Sequence, residues 1–123
     1  MSKAELLART KSFSLRILKL VDGLPLTMSG RAIGNQLVRC GTSVGANYRA
    51  ACRSRSRAEF AAKLGIVAEE ADETVYSLEL LLEANVMSKG KLCELLREAN
   101  ELTAIFTAGR RSSSRNQTSN LKP

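Results

Sequence analysis

The ionisable side chains of this chain offer little for catalysis, because none of its 123 residues is a histidine. Its absence removes the commonest general base and the usual Ser–His and Cys–His nucleophile pairs. The three cysteines, Cys40, Cys52 and Cys93, form no Cys-x-x-Cys pair and are better explained as small apolar packing residues. The glycines between residues 34 and 45 form no P-loop or dinucleotide fingerprint, since no strand precedes them. We therefore predict no catalytic residue, no cofactor and no enzymatic activity.

A second group that could do chemistry is a set of six carboxylates in the second half of the chain: Glu69, Glu70, Asp72, Glu73, Glu79 and Glu83. Helical-bundle metal centres built from carboxylates also use Glu-x-x-His pairs, so we predict no metal site. In an antiparallel bundle Arg39 and Arg49 could lie opposite these carboxylates. We expect one or both arginines to form ion pairs with them, within a subunit or across an interface. The alternative is a solvated acidic face.

The main functional candidate is a basic strip in which serines separate arginines: Arg49, Arg53, Arg55 and Arg57. Guanidinium groups suit phosphate oxygens, and serine hydroxyls can add hydrogen bonds. Arg110 and Arg111 could reinforce the strip. Tyr48 is the only aromatic residue beside it, so stacking on bases is poorly supported. We predict binding to RNA or DNA that is directed at the backbone, weakly sequence-specific and sensitive to salt. The plain alternative is solvation of a charged helix face.

Charge is distributed unevenly along the chain, whose formal net charge is +7. Residues 1–63 carry 12 basic and 3 acidic residues, and residues 64–109 carry 3 basic and 9 acidic residues. Residues 110–123 add four basic residues. A basic domain of this size suggests contact with a polyanion.

Four segments with apolar residues at helical spacing must position these side chains. The predicted helices run from Lys3 to Asp22, from Gly30 to Cys52 after a cap at Ser29, from a Ser56–Glu59 capping box to about Ala84, and from a cap at Ser88 to Gly109. Three short loops between helices of similar length predict an all-α protein, an antiparallel up-down-up-down four-helix bundle. Residues 1–109 would form this bundle, and residues 110–123 a disordered basic tail.

The second predicted helix is unusual because it contains three glycines, Gly34, Gly41 and Gly45, each of which costs about 1 kcal/mol of helix propensity relative to Ala. We expect them to allow close approach of a neighbouring helix. A seven-residue seam follows the same helix: Ile33, Leu37, Cys40, Val44, Asn47 and Ala51. Asn47 would then be buried and hydrogen-bonded, where it would fix the register or cap a local irregularity.

The compartment is predicted from cysteine content and hydropathy. An odd number of scattered cysteines, with no signal peptide, favours a reducing environment. Charge interrupts every apolar run, so no segment resembles a membrane span. We predict a cytoplasmic protein without membrane contact.

Several motifs together resemble the bacterial four helix bundle protein family, also called the 23S rRNA intervening-sequence protein family. These motifs are Gln36-Leu37-Val38-Arg39, Ser43-Val44-Gly45-Ala46-Asn47, Ser54-Arg55-Ser56-Arg57-Ala58-Glu59-Phe60, Glu70-Ala71-Asp72-Glu73-Thr74 and Leu78-Glu79-Leu80-Leu81. The resemblance covers about residues 10–107. It implies an antiparallel bundle that assembles as a ring-like homo-oligomer, a pentamer, with no catalytic residue. Some members are encoded inside insertions of large-subunit rRNA genes.

The same family looks similar to accessory proteins of diversity-generating retroelements, which have a basic surface and associate with nucleic acid and a reverse transcriptase. At Arg39, Asn47 and Glu73, the resemblance to the family implies roles that are mainly structural. Many relatives have Pro where this chain has Gly45, and Glu after the Asn where this chain has Arg49-Ala50-Ala51. The end of the second helix is therefore more basic here.

Two functions follow from the sequence. The first is a non-enzymatic homo-oligomer whose arginine-rich edge binds RNA or DNA phosphates. The second is a structural adaptor that binds a protein partner, in which charge serves subunit contacts between the basic second helix of one copy and the acidic third helix of the next.

Overall fold

Four α-helices, joined by connections of five residues, make up residues 1–121, the part of the chain that this computed structural model describes; side chains are described as far as Ser114. They are α1 (Lys3–Asp22), α2 (Met28–Ala51), α3 (Arg57–Glu83) and α4 (Lys89–Leu121). Residues 1–121 contain no strand. The predicted all-α, antiparallel up-down-up-down four-helix bundle is confirmed.

Side-chain caps set the first residue of three helices. Ser2 and Glu5 form a capping box at α1, which was not predicted. At α3 the Ser56 hydroxyl accepts the Glu59 N–H at 3.1 Å, as predicted, but the Glu59 carboxylate accepts the Arg55 N–H, so only one half of the predicted capping box forms. The predicted cap of α2 at Ser29 is wrong. Thr27 is the last extended residue, and its Oγ1 accepts the Gly30 N–H at 3.0 Å, so Ser29 already lies in the first helical turn.

The core consists of apolar stripes on all four helices, and α3 packs against both α2 and α4 while α1 packs mainly on α2. Among residues 1–121, the backbones of α1 and α3 do not lie close to each other, and neither do those of α2 and α4. The largest fully buried apolar side chains are Phe13, Ile17, Leu37, Val44, Val67, Leu78, Leu81, Leu92, Leu102 and Phe106. They come from every helix, so one continuous core unites the bundle.

The three glycines of α2 lie against α1, which confirms the close approach predicted for them. Gly34 faces Val21 and Leu24, Gly41 faces Ile17, and Gly45 faces the backbone of Thr10. A Cβ at Gly41 would lie 2.9 Å from both Cγ atoms of Ile17. Since Ile17 is fully buried and β-branched, it has little freedom to move away.

The predicted burial of Asn47 is wrong, because Tyr48 takes the inward position and Asn47 is half-buried. The Asn47 Nδ2 donates to the Ser43 carbonyl oxygen of its own helix at 2.9 Å. A straight α-helix drifts by about 20° per heptad relative to a seven-residue repeat. Over two heptads from Ile33 this drift turns Asn47 away from the core and Tyr48 toward it.

The predicted end of the fourth helix at Gly109 is also wrong, since α4 continues to Leu121. No glycine among the described residues has a positive φ, so Gly109 does not adopt the left-handed conformation that ends many helices. It lies against Leu64 of α3 and provides space for packing. The division into a bundle and a disordered tail from Arg110 stays a prediction, and Lys122 and Pro123 lie outside the described residues.

Replacing Gly41 with Ala tests the fit between α1 and α2. Although Ala favours the helix, the added methyl group must displace Ile17 or separate the two helices. We expect Gly41→Ala to lower the free energy of unfolding by about 1–3 kcal/mol, the usual range for overpacking a core. Urea denaturation followed by circular dichroism measures the change.

Gly90→Ala is the matched control, because nothing lies within 4 Å of a Cβ placed there. It should leave the free energy of unfolding unchanged or raise it by up to about 1 kcal/mol. Equal or greater stability of Gly41→Ala would contradict close packing between Ile17 and α2.

Candidate nucleic-acid interface

Six arginines predicted to contact nucleic acid come from three helices, α2, α3 and α4, and from the α2–α3 connection, which meet at one end of the bundle. We call this set the basic end; its members are Arg49, Arg53, Arg55, Arg57, Arg110 and Arg111. All six are exposed. The rings of Tyr48 and Phe106 lie 5.2 Å apart, so the last turns of α2 lie beside α4 near residue 106.

Contacts between α3 and α4 bring Arg110 toward the N-terminus of α3. Gly109 lies against Leu64, and the Arg110 side chain lies against Gly65. Arg57 precedes Gly65 by eight residues, which is roughly 12 Å along a helix. Because the two helices are antiparallel, α4 runs past Arg110 toward the level of Arg57.

Two carboxylates at this end of the bundle, Glu59 of α3 and Glu5 near the start of the antiparallel α1, are used in local contacts. The Glu59 carboxylate binds Lys63 Nζ at 3.0 Å and accepts the Arg55 N–H at 3.4 Å. Its bond to Lys63, and then that to the Arg55 backbone, hold the pKa of Glu59 below its usual value. Glu5 accepts the Ser2 N–H in the α1 cap. Among residues 1–114, no guanidinium of the basic end forms an ion pair with a carboxylate.

A shallow cleft between α1 and α2 adjoins the basic end. Its volume is about 470 Å³, and Lys11 and Arg49 lie on its rim together with Thr10, Ser14 and the backbone at Gly45. The Ser14 hydroxyl donates to the Thr10 carbonyl oxygen at 3.1 Å. Sequence reasoning missed Lys11 here, because the register of α1 on α2 is needed to place it beside Arg49.

Arg39, Glu70 and Glu73 come together on the side of the bundle where α2 packs against α3. Arg39 Nη1 lies 3.2 Å from Glu70 Oε2, and Arg39 Nη2 binds Glu73 Oε2. These contacts, first the hydrogen bond to Glu73, raise the pKa of Arg39. Half of the Arg39 side chain is exposed, so the pair stabilises the fold only slightly. Arg49 forms no such pair with a described residue, and the Asn47 side chain donates to the Ser43 carbonyl oxygen of its own helix.

An ion pair that sequence reasoning missed joins α1 to α4. Arg9 Nε donates to Glu98 Oε2 at 2.7 Å, and Arg9 Nη2 donates to Glu98 Oε1 at 2.6 Å and to Glu101 Oε1 at 3.1 Å. The hydrogen bonds to Glu98 are the main cause of a raised pKa of Arg9. The Arg9 and Glu98 side chains are mostly buried, and they form a bidentate ion pair. This pair adds to the limited packing between α1 and α4.

Tyr48, the aromatic residue adjacent to Arg49 in the sequence, is not available for stacking. Its side chain is 5% exposed and its ring packs on Phe106. Burial, and then the adjacent Cys52 thiol, raise the pKa of Tyr48 to about 12.

The titration of Tyr48 tests its burial. In a Tyr76→Phe variant Tyr48 is the only tyrosine, and its tyrosinate absorbance should reach half of its final value at about pH 12. The folded protein holds this proton more tightly than the unfolded chain, whose tyrosine titrates near 10. The free energy of unfolding should therefore fall as pH rises from about 10 toward 12.

Circular dichroism at each pH would verify that the bundle is still folded. In Cys52→Ala the midpoint should decrease but stay above the ordinary tyrosine value, since burial is the larger cause. A midpoint near 10 in folded protein would mean that the Tyr48 hydroxyl faces water.

Two general features of the described residues bear on function. Residues 1–114 contain no group of three or more Cys, Asp or Glu side chains placed to hold a metal ion. No helix within the described residues is long and apolar enough to cross a membrane.

Comparison with known proteins identifies relatives of the chain. No protein with curated function matches it. A solved structure from Bacteroides thetaiotaomicron, described as a protein of unknown function from the S23 ribosomal protein family, is 29% identical with a TM-score of 0.79. The match covers 90% of this chain and 99% of that protein. The family model for the 23S rRNA-intervening sequence protein matches residues 2–108, nearly the whole bundle. The chain therefore belongs to the 23S rRNA-intervening sequence protein family.

Proposed function

We propose that this protein is a non-enzymatic, cytoplasmic module that binds RNA through the phosphate backbone at its basic end. One observation carries the proposal: six exposed guanidiniums meet at one end of the bundle and have no carboxylate partner among residues 1–114. The family description, which names an rRNA intervening sequence, supports RNA as the partner and names no reaction.

The chemistry of the basic end suits phosphate groups. Each guanidinium presents a planar set of donors that can bind two oxygens of one phosphate. The N-terminus of α3, which follows Ser56 directly, adds the positive end of a helix dipole beside Arg55 and Arg57. Phosphate contacts position a protein on nucleic acid but carry no sequence information. Binding should therefore be weakly sequence-specific and should weaken steeply with salt.

A second candidate function, self-assembly or capture of a protein partner, is favoured by exposed apolar side chains on α3. Ile66, Tyr76 and Leu80 are 45%, 63% and 38% exposed and share one stripe of the helix. Glu69 and Glu73 lie on the same stripe, so this surface is both apolar and acidic. An open cleft of about 500 Å³ extends from Tyr76 and Leu80 to α2.

A complementary surface lies on α1 of the same chain. Leu15 and Leu18 are 60% and 39% exposed, and Lys11, Arg16 and Lys19 surround them. We propose that α1 of one copy binds α3 of the next, rather than α2 as the sequence suggested, because the exposed face of α2 is less apolar. Head-to-tail contacts between two unlike surfaces generate a closed ring when the rotation from one subunit to the next adds up to a full turn. A ring of this kind would agree with the pentamer that the family resemblance implies.

Removal of the arginines at 53, 55 and 57 tests the proposed RNA binding. In the triple variant Arg53→Ala, Arg55→Ala, Arg57→Ala, we expect affinity for a fluorescent RNA at about 100 mM salt to fall tenfold or more. The slope of log affinity against log salt should become shallower by about 2 to 3, since each lost phosphate contact removes nearly one unit. Fluorescence anisotropy measures both quantities.

The matched control is Arg31→Ala, Lys89→Ala, Lys91→Ala, which removes the same charge from exposed residues at the other end of the bundle. It should retain most of the affinity. An equal loss in both variants would mean that RNA responds only to net charge, and no binding by the wild-type protein at low salt would refute the proposed function.

Charge placed on the α3 stripe tests self-assembly. The wild-type protein should sediment well above its monomer mass of 13.4 kDa, and Tyr76→Glu, Leu80→Glu should reduce it to that mass. Both side chains are exposed, so the fold should survive. Leu26→Glu, Met28→Glu changes two apolar residues that are 82% and 90% exposed elsewhere and should leave the assembly intact. A wild-type monomer in analytical ultracentrifugation would exclude this candidate.

A further inference from the structure

The surroundings of the basic end indicate which form of nucleic acid it accepts. Proteins that hold single strands combine a basic groove with exposed aromatic rings on which unpaired bases stack. At the basic end the aromatic rings face inward. Tyr48 and Phe106 are 5% and 1% exposed, and Phe60 is partly buried against the core.

The one strongly exposed aromatic residue among residues 1–114 lies in an unsuitable place. Tyr76 is 63% exposed but belongs to the acidic stretch of α3, where Asp72 and Glu73 line the same cleft. It lies about five helical turns along α3 from Arg57, which is roughly 28 Å. A strand bound at the basic end would meet like charges before it reached this ring.

The arginines of the basic end are also spread over a surface. Arg53, Arg55 and Arg57 lie on the α2–α3 connection and the first turn of α3, Arg49 lies on α2, and Arg110 comes from α4. Caps at Ser56 and the contact of Arg110 with Gly65 hold these elements in place. Arginines spread over such a surface can make the most phosphate contacts with a ligand whose phosphates are closely spaced on more than one strand. A duplex is such a ligand, because it carries one charge per about 1.7 Å of its axis.

We infer that the basic end binds the backbone of paired nucleic acid, a double-helical stem, in preference to unpaired strands. This inference rests on the proposed function and adds the class of ligand. Recognition comes from the density and arrangement of phosphates along both strands, and the bases stay stacked inside the stem.

Two labelled RNAs with equal numbers of phosphates provide the test. One folds into a hairpin with a stem of about 20 base pairs, and the other is an unstructured uridine-rich strand of the same length, so total charge is matched. We expect the full-length protein to bind the hairpin at least about fivefold more tightly at about 100 mM salt. If all six arginines contact phosphates, the salt slope should be about −5 for the stem and about −4 for the strand.

Each outcome has a distinct meaning. Equal or tighter binding of the unpaired strand would overturn the inference and leave the proposed RNA binding standing, whereas no binding of either RNA would overturn both. The Arg53→Ala, Arg55→Ala, Arg57→Ala variant should lose affinity for the hairpin.

Discussion

Burial of α3 between α2 and α4 is the constraint on which the rest of the structure depends. The inner positions Leu64, Val67, Leu78 and Leu81 are at most 3% exposed, and burial of each such side chain contributes about 1.5–3 kcal/mol. The length of α3 in turn fixes the register of both neighbours. Tyr48 can pack on Phe106, and Gly109 on Leu64, only in this register. The arginines that follow these residues in α2 and α4 are thereby brought to the same end.

The register of α2 and α4 on α3 also separates acidic from basic residues in space, as the sequence separates them along the chain. Most carboxylates of α3 lie beyond its first three turns, away from the connection that carries Arg53 and Arg55. The ion pairs of Arg39 with Glu73 and of Arg9 with Glu98 lie between helices along the bundle, and the pair of Glu59 with Lys63 lies within α3. Few carboxylates among the described residues therefore neutralise the positive electrostatic field of the arginines at the basic end. A positive field of this kind increases the rate of association with polyanions.

Sequence periodicity and capping predicted much of this fold because both are local. The Ser56 cap of α3 and the bounds of the first helix were predicted as observed, and the α2 glycines were expected to allow close approach of a neighbouring helix. The errors have a common physical origin in three-dimensional context. A strict seven-residue repeat ignores the drift of a real α-helix, which places Tyr48 rather than Asn47 in the core. Gly109 in the sequence looks like a helix end, and only its contact with Leu64 in the folded structure shows that it serves packing.

The candidate site was predictable in its residues but not in its geometry. Spacing alone singled out the arginines of the strip, and only the tertiary structure shows that Arg110 lies across Gly65 and that Lys11 borders the same surface through the α1–α2 cleft. Long-range pairs such as Arg9 with Glu98, separated by 89 positions, depend on the complete bundle. Glu59 and Lys63 form a local ion pair within α3, and among the described residues Glu59 makes no ion pair with Arg55 or Arg57. The guanidiniums of Arg55 and Arg57 are therefore exposed to solvent rather than held by a neighbouring carboxylate.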